Sequence, residues 1–325
     1  MRVSARLSAV VKRLLAPPDS SRASVEQDVA TDLMNLEARC AELAAELDEQ
    51  TRLARRRLQL VEKERRERDY WVKGIAEPNP IIVHQMGKVG SRSIEVTLKD
   101  AFPNHTVFHT HYLNRDRLAR RLEQGPDFEL LMSRLLSERI YSGRTEGMKI
   151  VTAIREPIGR NLSAFFQNLE SFLDGSVEGE GKPPNVEAVV QTFVEQYPHR
   201  LPLTWLDEEI RDVFGVDLYE RPFAPSKGYE IYEGDGVEIL LVRVDDLSRV
   251  ASTAFGEFFG REGIELRNAN VGVNKRYSEL YKRVDMGIVV PRDLVDVAYS
   301  SRYSTHFWSE EEIDGFRKRW LRQES

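Results

Sequence analysis

The chain has 325 residues, of which 41% are hydrophobic and 31% are charged, and 47 basic against 53 acidic residues give it a net charge of −6. This balance excludes a wholly disordered chain and a general nucleic-acid binder recognised by charge alone, so no nucleic-acid partner is expected. The single cysteine, Cys40, excludes an intramolecular disulfide and a cysteine-based zinc site, and it indicates a reducing, cytoplasmic location.

The N-terminal segment, residues 1–20, carries basic residues between aliphatic ones and ends at Pro17 and Pro18. We expect a basic, flexible and partly helical terminus. The alternative is a short amphipathic helix over residues 1–16 that makes a weak peripheral contact with an anionic membrane surface. No stretch of the sequence approaches the roughly 18 apolar residues that a membrane-spanning helix needs.

The next segment predicts a coiled coil over residues 21–76. Residues 25–68 contain no glycine or proline, and apolar residues recur there at alternating intervals of four and three. This is heptad spacing, so we expect the helix to pair as a homodimer. The predicted seam consists of Val29, Leu33, Leu36, Cys40, Leu43 and Leu47.

Pro78 and Pro80 end this helix and open a second domain over residues 78–325. Short apolar runs alternate there with helical patterns, which predicts an α/β domain of three layers, resembling P-loop folds, with a central and mostly parallel sheet. The predicted strands include residues 81–84, 105–109, 148–154 and 238–244. An acidic, glycine-rich stretch over residues 174–184 is expected to be a mobile loop beside the acceptor entrance.

A glycine-containing loop follows the first predicted strand and leads into a helix. This geometry aims backbone N–H groups and a helix N-terminus at an anion, and a lysine can neutralise the charge. The candidate anion-binding residues are Lys88, Val89, Gly90, Ser91, Arg92 and Ser93. The loop is not a Walker A loop, because the lysine precedes the second glycine, and an ordinary surface turn is the alternative.

A second candidate segment follows the strand predicted over residues 148–154. Pro157 suits the first turn of a helix, which places Arg155 at the strand end and Ser163 within the helix. An arginine and a hydroxyl so placed can bind one phosphate together. The alternative is that Arg155 pairs with Glu156 or another acid.

Together these segments, K-x-G-[ST]-x-[ST] followed by R-[DEN]-P-x-x-R-x-x-S, resemble the sulfotransferases that use 3′-phosphoadenosine 5′-phosphosulfate. The resemblance implies that the first loop holds the 5′-phosphosulfate, that Arg155 and Ser163 hold the 3′-phosphate, and that no metal is needed. The His109-Thr110-His111 segment resembles the hexuronyl 2-O-sulfotransferase branch, in which the histidines serve catalysis.

The C-terminal residues 274–281 resemble the ends of carbohydrate sulfotransferases and of bacterial capsular polysaccharide synthesis proteins, and they add Lys275 and Arg276 to the expected donor site. The resemblance covers roughly residues 80–281. It implies a carbohydrate acceptor, and it gives no role to the N-terminal helix.

In such a reaction Lys88 and the loop amides would stabilise the leaving phosphate, and a histidine would take the acceptor proton. His109 and His111 alternate along a predicted strand, so we expect only one of them to face the site unless the strand ends between them. We prefer His111, and the alternative is that either is a hydrogen-bonded core histidine. Should neither act, Glu95 is the next candidate base.

Two other function classes remain open. Asp245 and Asp246 follow a buried strand, where a nucleotide-dependent phosphotransferase would bind magnesium. A coiled-coil protein could also bind a nucleotide or a glycan without turnover. Arginines at positions 115, 117, 120 and 121 either hold an anionic glycan beside the base or form a solvated helix face.

Overall fold

The computed structural model describes residues 11, 21–173, 185–267 and 277–322. The rest of the predicted basic terminus, the predicted loop over residues 174–184, and the candidates Lys275 and Arg276 lie outside the described residues. Contacts between residues divide the chain into two compact units, Met1–Arg68 and Asp69–Ser325.

The described part of the first unit is a single helix, α1, which runs from Ser21 to Ala76 and so continues into the second unit. Its length follows from the absence of glycine and proline over residues 25–68; Gly74 lies in its last turn, and Pro78 and Pro80 lie just beyond its end. The apolar residues of the predicted seam lie on its surface, with Leu36 63% exposed and Leu47 66% exposed. The long helix is therefore present as predicted, and its pairing into a dimer stays a prediction.

The second unit is a mixed α/β structure. In chain order its further elements are β1 (Ile81–His84), α2 (Ser91–Ala101), β2 (Val107–Thr110), α3 (Arg115–Gln124), α4 (Phe128–Tyr141), β3 (Met148–Ile154), α5 (Pro157–Gln167), α6 (Leu169–Phe172), α7 (Val186–Gln196), α8 (Leu201–Leu206), a π-helical turn (Asp207–Arg211), α9 (Asp212–Phe214), β4 (Tyr229–Glu233), β5 (Val237–Arg243), a 3₁₀ turn (Val244–Asp246), α10 (Leu247–Phe259), α11 (Ser278–Gly287), α12 (Arg292–Tyr299), α13 (Arg302–Phe307) and α14 (Glu310–Leu321).

The strands form one five-stranded sheet in the order β2-β1-β3-β5-β4. The first four are parallel, and β4 runs antiparallel to β5. Strands β1, β3 and β5 are almost entirely buried apolar runs, as expected when helices cover both faces of a parallel sheet. The mostly parallel sheet is confirmed, and the finer assignment to a P-loop-like fold stays a prediction.

The strand bounds differ from the predictions in three places. β2 begins at Val107 and not at residue 105, because a turn closed by the His105 N–H and the Phe102 carbonyl precedes it. β5 lies one residue earlier than predicted. β4 was not predicted at all, although Asp235-Gly236 in the turn between β4 and β5 is a recognised hairpin signal.

The last two turns of α1 are part of the second unit. The backbone N–H of Val107 donates to the Tyr70 hydroxyl at 2.7 Å, and the Trp71 ring lies 4.7 Å from the Phe108 ring. The Arg139 guanidinium donates to the carbonyls of Ile75, Glu77 and Pro78 just past the helix end. These contacts anchor the helix end beside β2. No helix among the described residues has the length and apolar character needed to cross a bilayer.

Candidate functional site

The loop between β1 and α2 lies at the carboxyl edge of the parallel strands, where ligands bind in open α/β sheets. Lys88 and Gly90 both adopt left-handed backbone conformations, with φ of 73° and 76°, and Val89 between them is fully buried. Gly90 immediately precedes α2. Since the first N–H groups of a helix have no acceptor within it, this loop directs backbone donors outward beside Lys88.

Three cations lie around this loop. Burial lowers the pKa of Lys88, and the positive charges of Arg155 and Arg160 lower it further. Arg160 is only 5% exposed, and it donates to the Gly87 carbonyl at 3.0 Å, to the Asn161 side chain at 3.1 Å and to the Tyr197 hydroxyl at 3.0 Å. All three acceptors are neutral. Within the described residues, no carboxylate forms an ion pair with Lys88 or Arg160, so an anion would meet an uncompensated positive charge here.

Arg155 does not pair with Glu156. That carboxylate is fully enclosed, where it caps α5 through the N–H groups of Ile158 and Gly159 and accepts from the Tyr299 hydroxyl at 2.6 Å. The backbone carbonyl of Arg155 is held by the Tyr303 hydroxyl at 2.9 Å. Arg155 therefore lies near Lys88 without an ion pair to Glu156. Burial raises the pKa of Glu156 and of Asp245, and the charge of Arg155 partly opposes that rise in both.

His109 and His111 face the same site, because β2 ends at Thr110 and His111 leaves the strand. Their ring centroids are 4.8 Å apart. The strand thus ends between the two histidines, which is the condition under which both were expected to face the site. Neither is a core histidine enclosed on all sides, since both line the cavity described below.

Hydrogen bonds fix the orientation of both rings. His111 Nδ1 donates to the Gln85 carbonyl at 2.7 Å, which leaves Nε2 as the proton acceptor. Burial, followed by the charge of His109, lowers the pKa of His111 to about 4. His109 Nδ1 lies 3.3 Å from a carboxylate oxygen of Glu95.

Glu95, on α2, is a partner of His109 and a poor base. Burial opposes its ionisation, but hydrogen bonds from His109 and Lys99 outweigh burial and lower its pKa to about 2. The Lys99 amine lies 2.7 Å from one carboxylate oxygen, and Arg92 lies 3.2 Å from the other. The carboxylate is therefore ionised and engaged at neutral pH, which argues against the expectation that Glu95 is the reserve base.

A second buried acid holds the chain segment after His111. Glu209, in the π-helical turn, accepts from the backbone N–H groups of Leu113 and Asn114 at 2.7 and 2.9 Å. It also lies 3.3 Å from His84 and 3.2 Å from Arg117. The Asn114 side chain then caps α3. Together these contacts end β2 and hold the backbone that carries His111.

These groups border one cavity of about 550 Å³. Its lining consists of Met86, Gly87, Lys88, Gly90, Ser91, Arg92, Ser93, His109, His111, Tyr112, Arg117, Arg160, Ala164, Gln167, Asn168, Tyr197, Leu201 and Trp205. Most of the predicted loop and both histidines are thus brought together. Val89 lies buried beneath the loop, and neither Arg155 nor Ser163 is part of this lining.

Sequence reasoning missed Arg160, Tyr197 and Trp205 as site residues. Arg160 occupies the second arginine position of R-[DEN]-P-x-x-R-x-x-S, so a signal was present, although it could not show that the side chain has only neutral partners. Tyr197 and Trp205 come from a part of the chain for which no motif indicated a role.

The position proposed for a magnesium site is occupied by ion pairs. Asp246 lies 2.6 Å from Arg243 and 2.6 Å from Arg249. Helix α10 begins at Leu247, directly after these two acids, and the Asp246 side chain does not cap it. Among the described residues, no cluster of three or more histidine, cysteine, aspartate or glutamate side chains could hold a metal ion.

Comparison with known proteins gives one result. The model of the family NKWYS, described as "Putative capsular polysaccharide synthesis protein", matches residues 189–309. The searches of curated proteins and of solved structures found no match. The matched residues include Tyr197 and Trp205 of the cavity, and they do not include Lys88 or Arg160. The similarity associates the chain with capsular polysaccharide synthesis.

Proposed function

We propose that the protein is a cytoplasmic sulfotransferase that moves a sulfuryl group from 3′-phosphoadenosine 5′-phosphosulfate to a hydroxyl of a capsular or other cell-surface polysaccharide. The observation that carries the proposal is a cavity in which cations without acidic partners lie beside two histidines of fixed orientation. The similarity to capsular polysaccharide synthesis proteins supports a carbohydrate acceptor. Dimerisation through residues 21–76 is part of the proposal.

The described residues fit an anionic donor. Lys88, the N–H groups at the start of α2 and Arg160 supply positive charge and hydrogen bonds where a phosphate would be held. Arg155, which lies close enough to Lys88 to lower its pKa, is suited to a second phosphate. The bound donor would supply an activated sulfuryl group with a phosphate as the leaving group. Hydrogen-bond donors that are already in position around that phosphate would stabilise the negative charge it gains.

The acceptor must lose a proton as it forms its new bond. In the proposed step the S–O bond to the leaving phosphate breaks, a bond forms between sulfur and the acceptor oxygen, and the hydroxyl proton passes to Nε2 of His111. His111 is suited to this role because its Nδ1–H is already committed to Gln85, which leaves Nε2 free to accept the proton. Its lowered pKa keeps the ring neutral at pH 7 and also makes it a weaker base than an ordinary histidine. His109, held by Glu95, lies beside it and is the alternative base.

A pH profile tests the assignment of the base. If His111 accepts the proton, kcat should rise with pH through a value near 4 and level off above it, because only the neutral ring is active. His111→Ala should lower kcat by roughly 10²- to 10⁴-fold and leave donor affinity nearly unchanged. His109→Ala is the matched comparison. A large loss in His109→Ala with a small one in His111→Ala would reverse the assignment.

Ligand titration tests the donor. Adenosine 3′,5′-bisphosphate should bind more tightly than AMP or ATP in calorimetry, because only it presents both phosphates, and EDTA should not change its affinity. Equal affinity for AMP would contradict the proposal. Magnesium-dependent turnover of ATP would instead favour a phosphotransferase, and tight binding without sulfuryl transfer to any glycan would favour a protein that binds without turnover.

A further inference from the structure

The apolar side chains of α1 lie in solvent along most of the helix. The large ones of the first unit that are at least half exposed are Leu33, Met34, Leu36, Leu43, Leu47, Leu58, Leu60 and Val61. An isolated helix is marginal in water and gains most of its stability by packing an apolar face against a neighbour. The apolar face of α1 therefore needs a partner that covers it on both sides of residue 50.

The two halves of this helix carry opposite charges. Residues 27–50 contain seven acidic residues and one basic residue, Arg39, which gives a net charge of −6. Residues 51–68 contain eight basic and three acidic residues, which gives a net charge of +5. A second copy that lay parallel and in register would bring like charges together along both halves. An antiparallel copy would place each half against the opposite charge.

The spacing of the seam residues changes where the charge changes. Intervals of three and four alternate as far as Leu47, and a second interval of four then leads to Thr51. The alternation resumes from Thr51 through Ala54, Leu58 and Val61. Such an insertion shifts the register of a coiled coil at one point. The shift lies at the boundary of the two charged halves, so a two-fold axis between residues 50 and 51 leaves the spacing the same on both sides.

That axis brings apolar side chains of the two copies together. Leu43 of one copy faces Leu58 of the second copy, and Leu47 faces Ala54. Cys40 faces Val61 of the second copy. Each of these pairs occurs twice, because the axis relates the two copies by symmetry.

The residues that flank the seam are complementary in the same arrangement. Charged side chains in these positions pair between the helices of a coiled coil. Glu46 of one copy lies beside Arg57 of the second copy. Arg39, the basic residue of the acidic half, lies beside Glu64, which is one of the acidic residues of the basic half. The exceptions to the charge pattern of each half thus also meet an opposite charge.

We propose that α1 pairs with α1 of a second copy in antiparallel orientation, the acidic half of each helix against the basic half of the other. Heptad spacing predicts that the helix pairs but not in which direction. The proposal rests on the dimerisation part of the proposed function and does not depend on sulfuryl transfer. An anionic polymer is a poorer partner, because it would engage only the basic half and leave the apolar side chains of the acidic half uncovered.

Disulfide trapping tests the orientation on the full chain, because Cys40 is its only cysteine and is exposed. Oxidation with copper phenanthroline should leave the wild type without a cross-link, and Val61→Cys should form covalent dimers on a non-reducing gel. Cys40→Ser/Val61→Cys is the matched control and should not cross-link. In the antiparallel pair the two copies of position 61 lie about 30 Å apart along the axis, at roughly 1.5 Å per residue, which no disulfide can span.

Charge reversal tests the contact between the flanking residues. Glu46→Lys should raise the dissociation constant of the dimer roughly tenfold in sedimentation at low salt, because it turns two attractive contacts into repulsive ones. Adding Arg57→Glu in the same chain should restore most of the affinity. Both effects should shrink as salt is raised. No restoration by the second substitution would contradict the antiparallel contact.

The possible failures are distinguishable. A chain that stays monomeric in sedimentation would overturn the pairing and its direction together, while donor binding could still stand. A cross-link in the wild type, or in Cys40→Ser/Val61→Cys, would show parallel helices and overturn the direction alone. A dimer in which Val61→Cys does not cross-link would overturn it as well. The expected cross-links in a protein that transfers no sulfuryl group would instead sink the sulfotransferase proposal alone.

Discussion

Arg160 and Arg243 are equally buried, each 5% exposed, yet their surroundings differ in charge. Arg243, at the end of β5, pairs with Asp246 at 2.6 Å and with Glu312 at 2.8 Å. Arg160, at the start of α5, contacts a carbonyl, an amide oxygen and a hydroxyl. The first arginine joins β5 to α14 in a cluster that is electrically neutral once Arg249, which lies 2.6 Å from Asp246, is counted. Among the described residues, no carboxylate forms an ion pair with the second.

This difference separates a structural arginine from a binding one. Burying a cation costs free energy unless the cation is paired. Asp246 and Glu312 compensate the charge of Arg243, so no ligand is needed to explain its burial. The neutral acceptors of Arg160 lower the free-energy cost of burying its charge only in part. A bound anion would compensate the rest of that charge. The charge of the partners, and not the degree of burial, therefore identifies the functional site.

The largest effect is expected from Arg243→Met. Removing the guanidinium leaves Glu312 without its cation and Asp246 with only the exposed Arg249, so the free energy of unfolding should fall by about 3–5 kcal/mol. Urea denaturation followed by circular dichroism measures this. A loss below about 1 kcal/mol would mean that the ion pairs of Arg243 contribute little to stability, and Arg243 could no longer be contrasted with Arg160 as a structural arginine.

Arg160→Met should show the opposite pattern. Affinity for adenosine 3′,5′-bisphosphate should fall roughly hundredfold, because a desolvated charge that contacts the ligand is removed. The free energy of unfolding should change by about 1 kcal/mol, since only bonds to neutral acceptors are lost. Arg243→Met, assayed where it is folded, should bind the same ligand normally. Unaltered affinity in Arg160→Met would remove Arg160 from the site.

The smallest effect concerns acid stability. Burial opposes ionisation of Glu312, but the hydrogen bond from Arg243 outweighs it and lowers the pKa of Glu312 below its usual value. The stabilisation by this pair is therefore present above the unfolded pKa, near 4.5, and is lost as pH falls through the lowered value. Arg243→Met should show a flatter dependence of stability on pH below 4.5, whereas Arg160→Met should retain the wild-type slope. Identical slopes in both variants would contradict the conclusion that the Arg243–Glu312 pair contributes to the pH dependence of stability.

Much of the fold could be predicted from the sequence, because continuous β-branched runs and proline breaks are local signals. The bounds of β1 and β3 and the end of α1 follow from them. β4 is a five-residue strand at a sheet edge whose burial does not alternate, because Glu230 and Ile231 are both half-buried, so its sequence pattern is short and weak. His111 faces the site because β2 ends at Thr110, the residue before it. The contacts of Glu209 with Leu113 and Asn114 that hold the following segment are not revealed by any local pattern.

The site could be predicted only as far as its motifs extended. The Lys88 loop and the two histidines have recognisable spacing, and the structure places them on one cavity. The significance of Arg160 depends on which groups accept its hydrogen bonds, and these include the Gly87 carbonyl and the Tyr197 hydroxyl, which are far apart in the chain.

The left-handed backbone conformation at Lys88 places the stability of the loop in conflict with the presence of the lysine amine. A side chain in this conformation costs about 1 kcal/mol relative to glycine, so Lys88→Gly would relax the loop while deleting its amine. A library screened only for resistance to heat would therefore be expected to accept glycine at this position. Such a screen would enrich well-folded variants without the Lys88 amine, and under the proposed function these variants would lack a cation beside the leaving phosphate.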